Sequence, residues 1–323
     1  MFVRRSAALL LCLFSFCMLN ASLANADERK TVRPYPALRI APHVWAIHGP
    51  LGSPTVENQG FMNNPAWVET ANSVVVIDPG SSLYAGRMVV DQIRQHTRKP
   101  ISHVFNTHVH GDHWLGNQAM LEENPNAHIL AHPLMIAEAK ATAADEWLAQ
   151  MSKVTDGYTD GTQAVIPAQA VDNDITLTIG GLTFHILAPP KAHSGTDIMI
   201  HLREEGVLFA GDNVLSGRIA RMDDATFRGN INACNVALAS GARIILPGHG
   251  PTGGVETIIT FRTLLTTLYE TTRRYYSEGI EAYEAKPRVK QALAPFQGWV
   301  EFERNIGKQI ELAYLEAEQA DFE

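Results

Sequence analysis

From Ala37 to Pro79 the chain runs in short alternating or β-branched stretches, "HVWAIHG", "AWVET" and "SVVVIDPG", broken by Gly, Pro and Asn. Such runs between turn formers predict strands joined by turns. Apolar positions then recur at helical spacing as Leu83, Val89, Val90 and Ile93, predicting a helix over 82–96. Pro100 ends that pattern, and "ISHVFNTH" predicts another buried strand. Strand, helix, strand is the rhythm of an α/β unit.

Further along, a helix is predicted to open near His113 and carry Leu115 and Met120, followed by a strand in "HILAH" and a helix over 133–153. Four strands come in quick succession, 174–179, 182–188, 197–203 and 207–211, then a helix over 225–240 and a strand in "ARIILPGHG" that ends in a glycine-rich loop. Two strand-rich blocks, each followed by helices, predict two sheets face to face with helices outside, an αββα sandwich of the α/β class. The stretch 254–323 reads as helical throughout, with Ile258, Phe261, Leu265 and Leu268 on one stripe and Trp299, Phe302, Ile306 and Ile310 on another. The expected division is a leader over 1–26, a sandwich domain over 27–255 and a helical extension over 256–323.

The first 26 residues differ from the rest. Arg4 and Arg5 precede an apolar run from Ala7 to Leu19, and Ala24-Asn25-Ala26 ends the segment. That is the pattern of a cleavable secretory signal peptide, and the run is shorter than the roughly 20 apolar residues that span a bilayer. The chain is therefore expected in an exported compartment, with no stable membrane insertion after cleavage. Beyond the leader only Cys234 remains, so no intrachain disulfide is possible and a packed core must supply the stability. Losing Arg4 and Arg5 takes the 26 basic residues to 24 against 34 acidic ones, a net charge of −10. This charge argues against nucleic acid or anionic lipid as a partner and leaves a small molecule as the expected one.

Candidate chemistry concentrates in "THVHGDH", residues 107–113. His108 and His110 lie two apart after a strand, so in extended backbone their side chains leave on the same side. Asp112 and His113 follow where the chain turns into the next helix, although an aspartate there also suits an N-cap. Three further donors stand in Gly- or Pro-containing turns after apolar strands: His193 in "PPKAHSGTD", Asp212 in "VLFAGDN" and His249 in "LPGHG". Loops of layered α/β folds gather at one sheet edge, so these three are expected beside the histidine cluster.

From about residue 37 to 255 the sequence resembles the metallo-β-lactamase-fold hydrolases. Their His-x-His-x-Asp-His pattern stands here as His108, His110, Asp112 and His113, and the later members fall on His193, Asp212 and His249. The resemblance implies two zinc ions, one held by His108, His110 and His193, the other by Asp112, His113 and His249, with Asp212 bridging. It also implies that Asp78, after "VVVI", supports the ligands, and that Asp112 doubles as a proton shuttle. Neutral imidazoles and carboxylates suit zinc, and two adjacent ions share a bridging hydroxide, available near neutral pH because zinc lowers the pKa of its water to about 7. The implied activity is hydrolysis of an ester, thioester or amide.

Several family members fit less well. Zinc β-lactamases with a cysteine ligand carry it where this chain has Asp212, and the basic residues with which glyoxalase II binds glutathione have no match in "ELAYLEAEQADFE". The stretches "NTHVHGDHWLGN", "HSGTDIMIHL", "VLFAGDNV" and "PGHGP" resemble the quinoprotein relay zinc metallohydrolases, which implies a periplasmic protein. Three other readings stand beside the hydrolase: cleavage of β-lactam amides, a mononuclear iron persulfide dioxygenase, and a zinc-stabilised accessory protein without catalysis.

Other residues are weighed individually. Asn117 either reaches the site from the first helical turn or packs. His132, at the end of "HILAH", either approaches it as a supporting group or is an ordinary residue. Ser216, Arg218, Arg221 and Lys191 either line the cleft or face solvent. Cys234 reads as a small buried apolar residue, and His43, His48, His96, His103, His128, His185 and His201 as ordinary packing or surface residues.

Overall fold

The β-branched runs of the first half assemble into one seven-stranded sheet in the computed structural model, which describes residues 30–322. The leader expected over 1–26 lies outside the described residues. In order, the strands are β1 (Ala37–Ala41), β2 (Val44–Ile47), β3 (Ala66–Glu69), β4 (Val74–Ile77), β5 (Ile101–Phe105), β6 (His128–Ala131) and β7 (Gln169–Ala170), antiparallel through β4 and parallel from β4 onward. The second sheet has the order β12-β11-β10-β9-β8, from β8 (Thr176–Ile179), β9 (Leu182–Leu187), β10 (Met199–Leu202), β11 (Val207–Phe209) and β12 (Ile244–Leu246).

Both faces of the central strands are covered, which is why they read as continuous apolar runs. In β4, Val75 and Ile77 point to the space between the sheets while Val74 and Val76 face the helices α1 (Leu83–His96) and α3 (Asn117–Glu123). The second sheet answers with Phe184, Ile186, Ile200, Leu202, Val207 and Phe209 on its inner face. Phe105 of β5 and Phe184 of β9 stack across the two sheets with ring centroids 5.9 Å apart. The outer face of the second sheet, with Met199 and Leu208, packs on α6 (Phe227–Ala239) and the C-terminal helices α7 (Val255–Ser277), α8 (Ala282–Ala292) and α9 (Phe302–Ala320). The result is a four-layer αββα sandwich with C-terminal helices, and the described residues from Thr31 onward form one compact unit.

Two predicted helices are interrupted. The one expected from His113 is two: α2 (Gly111–Trp114) starts two residues earlier, and α3 begins after Gly116. The break is tertiary, because a Cβ on Gly116 would come within 2.4 Å of Pro79 O, so the chain passes there only as glycine. The residue at the α2 N-cap is His110, and Asp112 lies inside the first turn. The helix over 133–153 is α4 (Pro133–Glu138), a π-turn over Ala139–Ala143, and α5 (Ala144–Val154). The stretch read as helical from 254 onward is three helices, α7, α8 and α9, with the two apolar stripes on α7 and around α9. No described helix is long and apolar enough to cross a membrane.

Candidate metal centre

The strand ends of both sheets deliver the donors to one edge. Asp78 follows β4 with φ 50°, and it fixes the chain that leaves β5. Thr107 donates from its backbone N to Asp78 Oδ1 (2.8 Å) and from Oγ1 to Oδ2 (2.7 Å), while Asp78 N donates to Phe105 O (2.9 Å). Val109 N donates to Thr196 Oγ1 (3.1 Å), so the histidine loop is also tied to the segment carrying His193. Asp212 follows β11 and His249 follows β12. Gly248 is required where these two turns meet, since a Cβ there would lie 2.0 Å from Asp212 Oδ1.

The seven predicted donors are all buried and come together as two groups. His108, His110, His193 and Asp212 form one and Asp112, His113 and His249 the other, each with its donor atoms within 4.8 Å of one another. Asp212 touches both: Oδ2 lies 3.4 Å from His193 Nε2 and 3.4 Å from His249 Nε2, and Oδ1 lies 3.2 Å from His113 Nε2.

The opposite ring nitrogens decide which face each imidazole offers. His113 Nδ1 meets Asp78 Oδ2 at 2.8 Å, His249 Nδ1 donates to Met62 O at 2.9 Å, and His108 Nδ1 meets Thr107 Oγ1 at 3.0 Å, leaving Nε2 of all three toward the centre. His110 is turned the other way, with Nε2 on Asp224 Oδ2 (3.0 Å) and Nδ1 facing His193 Nε2 (3.0 Å).

The electrostatics suit a cation. Burial would raise Asp112 and Asp212, yet the imidazoles of His113 and His249 outweigh it and hold both carboxyls well below the usual range. Burial pushes His193 down to about 3 and His108 well below its ordinary value, so both are neutral ligand forms. Burial would also lower His113, but Asp112, Asp212 and Asp78 raise it well above the ordinary value. Three carboxylates around one imidazole draw positive charge to that point. His108 Nε2 and Asp212 Oδ1 are buried without a hydrogen-bond partner, a costly condition that ligation relieves. By donor type, burial and these orphaned atoms, the residues fit a pair of metal ions.

Residues 59–254 match the metallo-beta-lactamase superfamily profile. The chain belongs to the metallo-beta-lactamase superfamily. Members of the metallo-beta-lactamase superfamily are mostly metal-dependent hydrolases, and the two His/Asp clusters accord with a binuclear metal site. Similar solved structures include a metallo-beta-lactamase from Pontibacter korlensis (TM-score 0.58, 18% identity, covering 72% of this chain and 99% of that one). Another is a metallo beta lactamase from Hirschia baltica (TM-score 0.54, 20% identity, 72% and 98% covered). At that identity the likeness shows the fold. No curated protein matches the sequence.

A cavity of about 220 Å³ opens beside the two donor groups, lined by His110, Asp112, Asp212 and His249. Trp147 and Met151 of α5 form one wall and Arg304, Lys308 and Leu312 of α9 another. Arg218 and Arg221 line it too, whereas Ser216 and Lys191 do not. Asn117 packs instead of reaching the cavity, exchanging hydrogen bonds with Asn106. His132 caps α4 through Leu134 N. Cys234 is fully buried, its thiol pushed up to about 12 by burial. His96 stacks on Trp45, His103 lies at a tilt beside His128, His185 meets Asp174 and His48 meets Thr252, and none of them belongs to the two donor groups. Asp224, Trp147 and Glu301 escaped sequence reading. Asp224 sits among acids ahead of α6, and only the folded chain brings it to His110.

Proposed function

We propose that the protein is a binuclear zinc hydrolase of the periplasm that cleaves an ester, thioester or amide bond in a small molecule. The observation that carries this reading is Asp212, whose carboxylate reaches His193, His113 and His249 and so joins the two donor sets. His108, His110 and His193 would hold one zinc and Asp112, His113 and His249 the other, with Asp212 within reach of both donor sets. When bound, the ions supply Lewis acidity toward the substrate carbonyl and a water nucleophile active near neutral pH.

The chain's own groups do the rest. Asp112 lies at the cavity base with Oδ2 3.2 Å from His249 Nε2 and 3.4 Å from His113 Nε2, placed to take a proton from attacking water and return it to the leaving group. Asp224 and Asp78 lock the rings of His110 and His113, so the donors are pre-set before substrate enters. Trp147 and Met62 line the same cavity and would give the substrate an apolar wall beside the donors. Export rests on the leader pattern of residues 1–26.

A second reading, β-lactam amide cleavage, draws on the structural neighbours from Pontibacter korlensis and Hirschia baltica, which are metallo-beta-lactamases. The deciding experiment is to purify the exported chain, quantify its metals, and assay an aryl ester and thioester panel beside nitrocefin. About two zincs per chain with ester or thioester turnover supports the proposal. One iron per chain, with oxygen consumed in the presence of a persulfide, overturns it. Asp112→Ala separates catalysis from a zinc-stabilised accessory role: a hydrolase loses turnover with the fold retained.

A further inference from the structure

The loop that joins β2 to β3, residues 48–65, lines the cavity with Ser53, Pro54 and Met62. Its two ends are well held. Gly49 N donates to Asn64 Oδ1 (3.2 Å), Asn64 N donates to Gly248 O (2.9 Å), and Met62 O accepts from His249 Nδ1 (2.9 Å). The outer part, 50–57, closes on its own base, with Asn58 Nδ2 donating to Ser53 O (2.9 Å), Thr55 N to Asn58 Oδ1 (2.8 Å) and Gly60 N to Thr55 O (3.0 Å). Among the described residues, the hydrogen bonds that tie this outer part to another element all leave Ser53 and all end on Glu301. Ser53 N donates to Glu301 Oε1 at 3.0 Å, and Ser53 Oγ donates to the same oxygen.

Glu301 serves this contact and not its own helix. It opens α9 with φ 64°, a left-handed backbone that favours glycine, and its side chain caps no backbone N–H of that helix. Strain of this kind persists only where the surroundings hold it, and it gathers at sites of function. The side chain is 11% exposed, and its carboxylate lies 4.0 Å from Arg218 Nη2 and 3.7 Å from Arg304 Nη1 while accepting from Asn305 Nδ2 at 3.1 Å. Burial would raise this carboxyl, yet the bond from Ser53 and the charge of Arg218 hold it below its ordinary value, so it stays ionised at neutral pH. The preceding residue grips the facing loop: Val300 N donates to Gly217 O (2.9 Å), and Ile219 N donates to Val300 O (3.1 Å). Ser53 and Glu301 both fall outside residues 59–254, so their link lies beyond the part of the chain that matches the family.

We infer that Glu301 is a positioning residue: through Ser53 it pins the outer part of the β2–β3 loop as a fixed wall of the cavity, and so limits how broad a substrate group the cavity accepts. Pro54 and Met62 on this loop, with Trp147, Met151 and Leu312 opposite, make the accepted group apolar, and the pinned wall makes it slim. The inference rests on the hydrolase reading for substrate choice and on the hydrogen bonds alone for the loop.

The test has an exchange arm and a kinetic arm, both on the zinc-loaded protein. Glycine adopts φ 64° without strain, so Glu301→Gly keeps the backbone and loses the carboxylate, while Glu301→Gln keeps an acceptor for Ser53 without the charge. Amide hydrogen exchange across residues 50–57 should run about 10- to 100-fold faster in Glu301→Gly, the effect of losing a charge-assisted hydrogen bond, with Glu301→Gln in between and β2 and β3 unchanged. Zinc content and melting are checked for each variant. Exchange unaltered in Glu301→Gly overturns the inference whether or not any ester is cleaved. In kinetics, the wild type should favour p-nitrophenyl valerate over the broader p-nitrophenyl cyclohexylacetate, and that preference should shrink about 10-fold in Glu301→Gly through KM, with kcat little changed. No preference in the wild type, or one left intact in the variant, shows a structural role and overturns the inference. If the wild type cleaves neither ester, the hydrolase reading fails while the exchange rates still decide whether Glu301 holds the loop.

Discussion

Asp78 Oδ2 lies 2.8 Å from His113 Nδ1 and at the same time accepts from Thr107 Oγ1 at 2.7 Å. One carboxylate therefore fixes both the ring plane of a donor and the start of the loop that carries four of the seven. Asp78→Asn keeps the shape and removes the charge. Chelator competition should show metal held about 10- to 100-fold more weakly, the usual effect of losing such a partner, with the far-ultraviolet circular dichroism unchanged. Unaltered metal retention would mean that packing alone orients His113.

Gly248 leaves no room for a side chain beside Asp212. In Gly248→Ala the new Cβ would meet Asp212 Oδ1 at 2.0 Å and Gly211 C at 2.8 Å, so the carboxylate must swing or the two turns must part. Elemental analysis should find metal lost from both donor groups, because Asp212 contacts each. Overpacking of this kind costs about 1–3 kcal/mol, so the variant should still fold. Full metal content in that variant would contradict the close approach.

Phe184 tests the coupling of the sheets. Its ring is fully buried against Phe105, which sits three residues before His108. Phe184→Ala should cost about 3–5 kcal/mol in denaturant unfolding. A loss under 1 kcal/mol would indicate that the space between the sheets collapses around the deletion.

His201 in β10 is buried, with Nε2 unpartnered, and burial lowers its pKa, reinforced by His185, Arg203 and Arg243. Below about pH 6.5 the unfolded chain takes up a proton that the folded chain refuses. Its contribution to stability is therefore complete above that pH and is lost as the pH falls. Urea unfolding of the wild type should weaken from pH 7 to pH 5, and His201→Leu should do so less steeply. Parallel slopes would show that His201 titrates alike in both states.

Much of this was legible in the chain. Strands such as "VVVI" declared themselves because both their faces are buried, and the donors because His and Asp recur in the turns that end such strands. The break at Gly116 was not legible: nothing local announces that Pro79 will lie against it. The same holds for Asp224 on His110 and for the pairing of Arg218 with Val300 and Glu301, where partners up to 114 residues apart meet only after the sheets stack. Periodicity records how an element meets a core; it does not record which loop an isolated charge will face.

Glu301 adopts φ 64° at the start of α9 and ties that helix to Ser53 and the Arg218 loop. The family match ends at residue 254, so the stretch that carries the donors and the helix that lines the cavity are separate pieces of sequence. Rewriting a few positions of α9 would reshape the cavity wall while every donor stays where it is. The C-terminal helix is thus the natural handle for redesign, and the least safe part of the protein to trim.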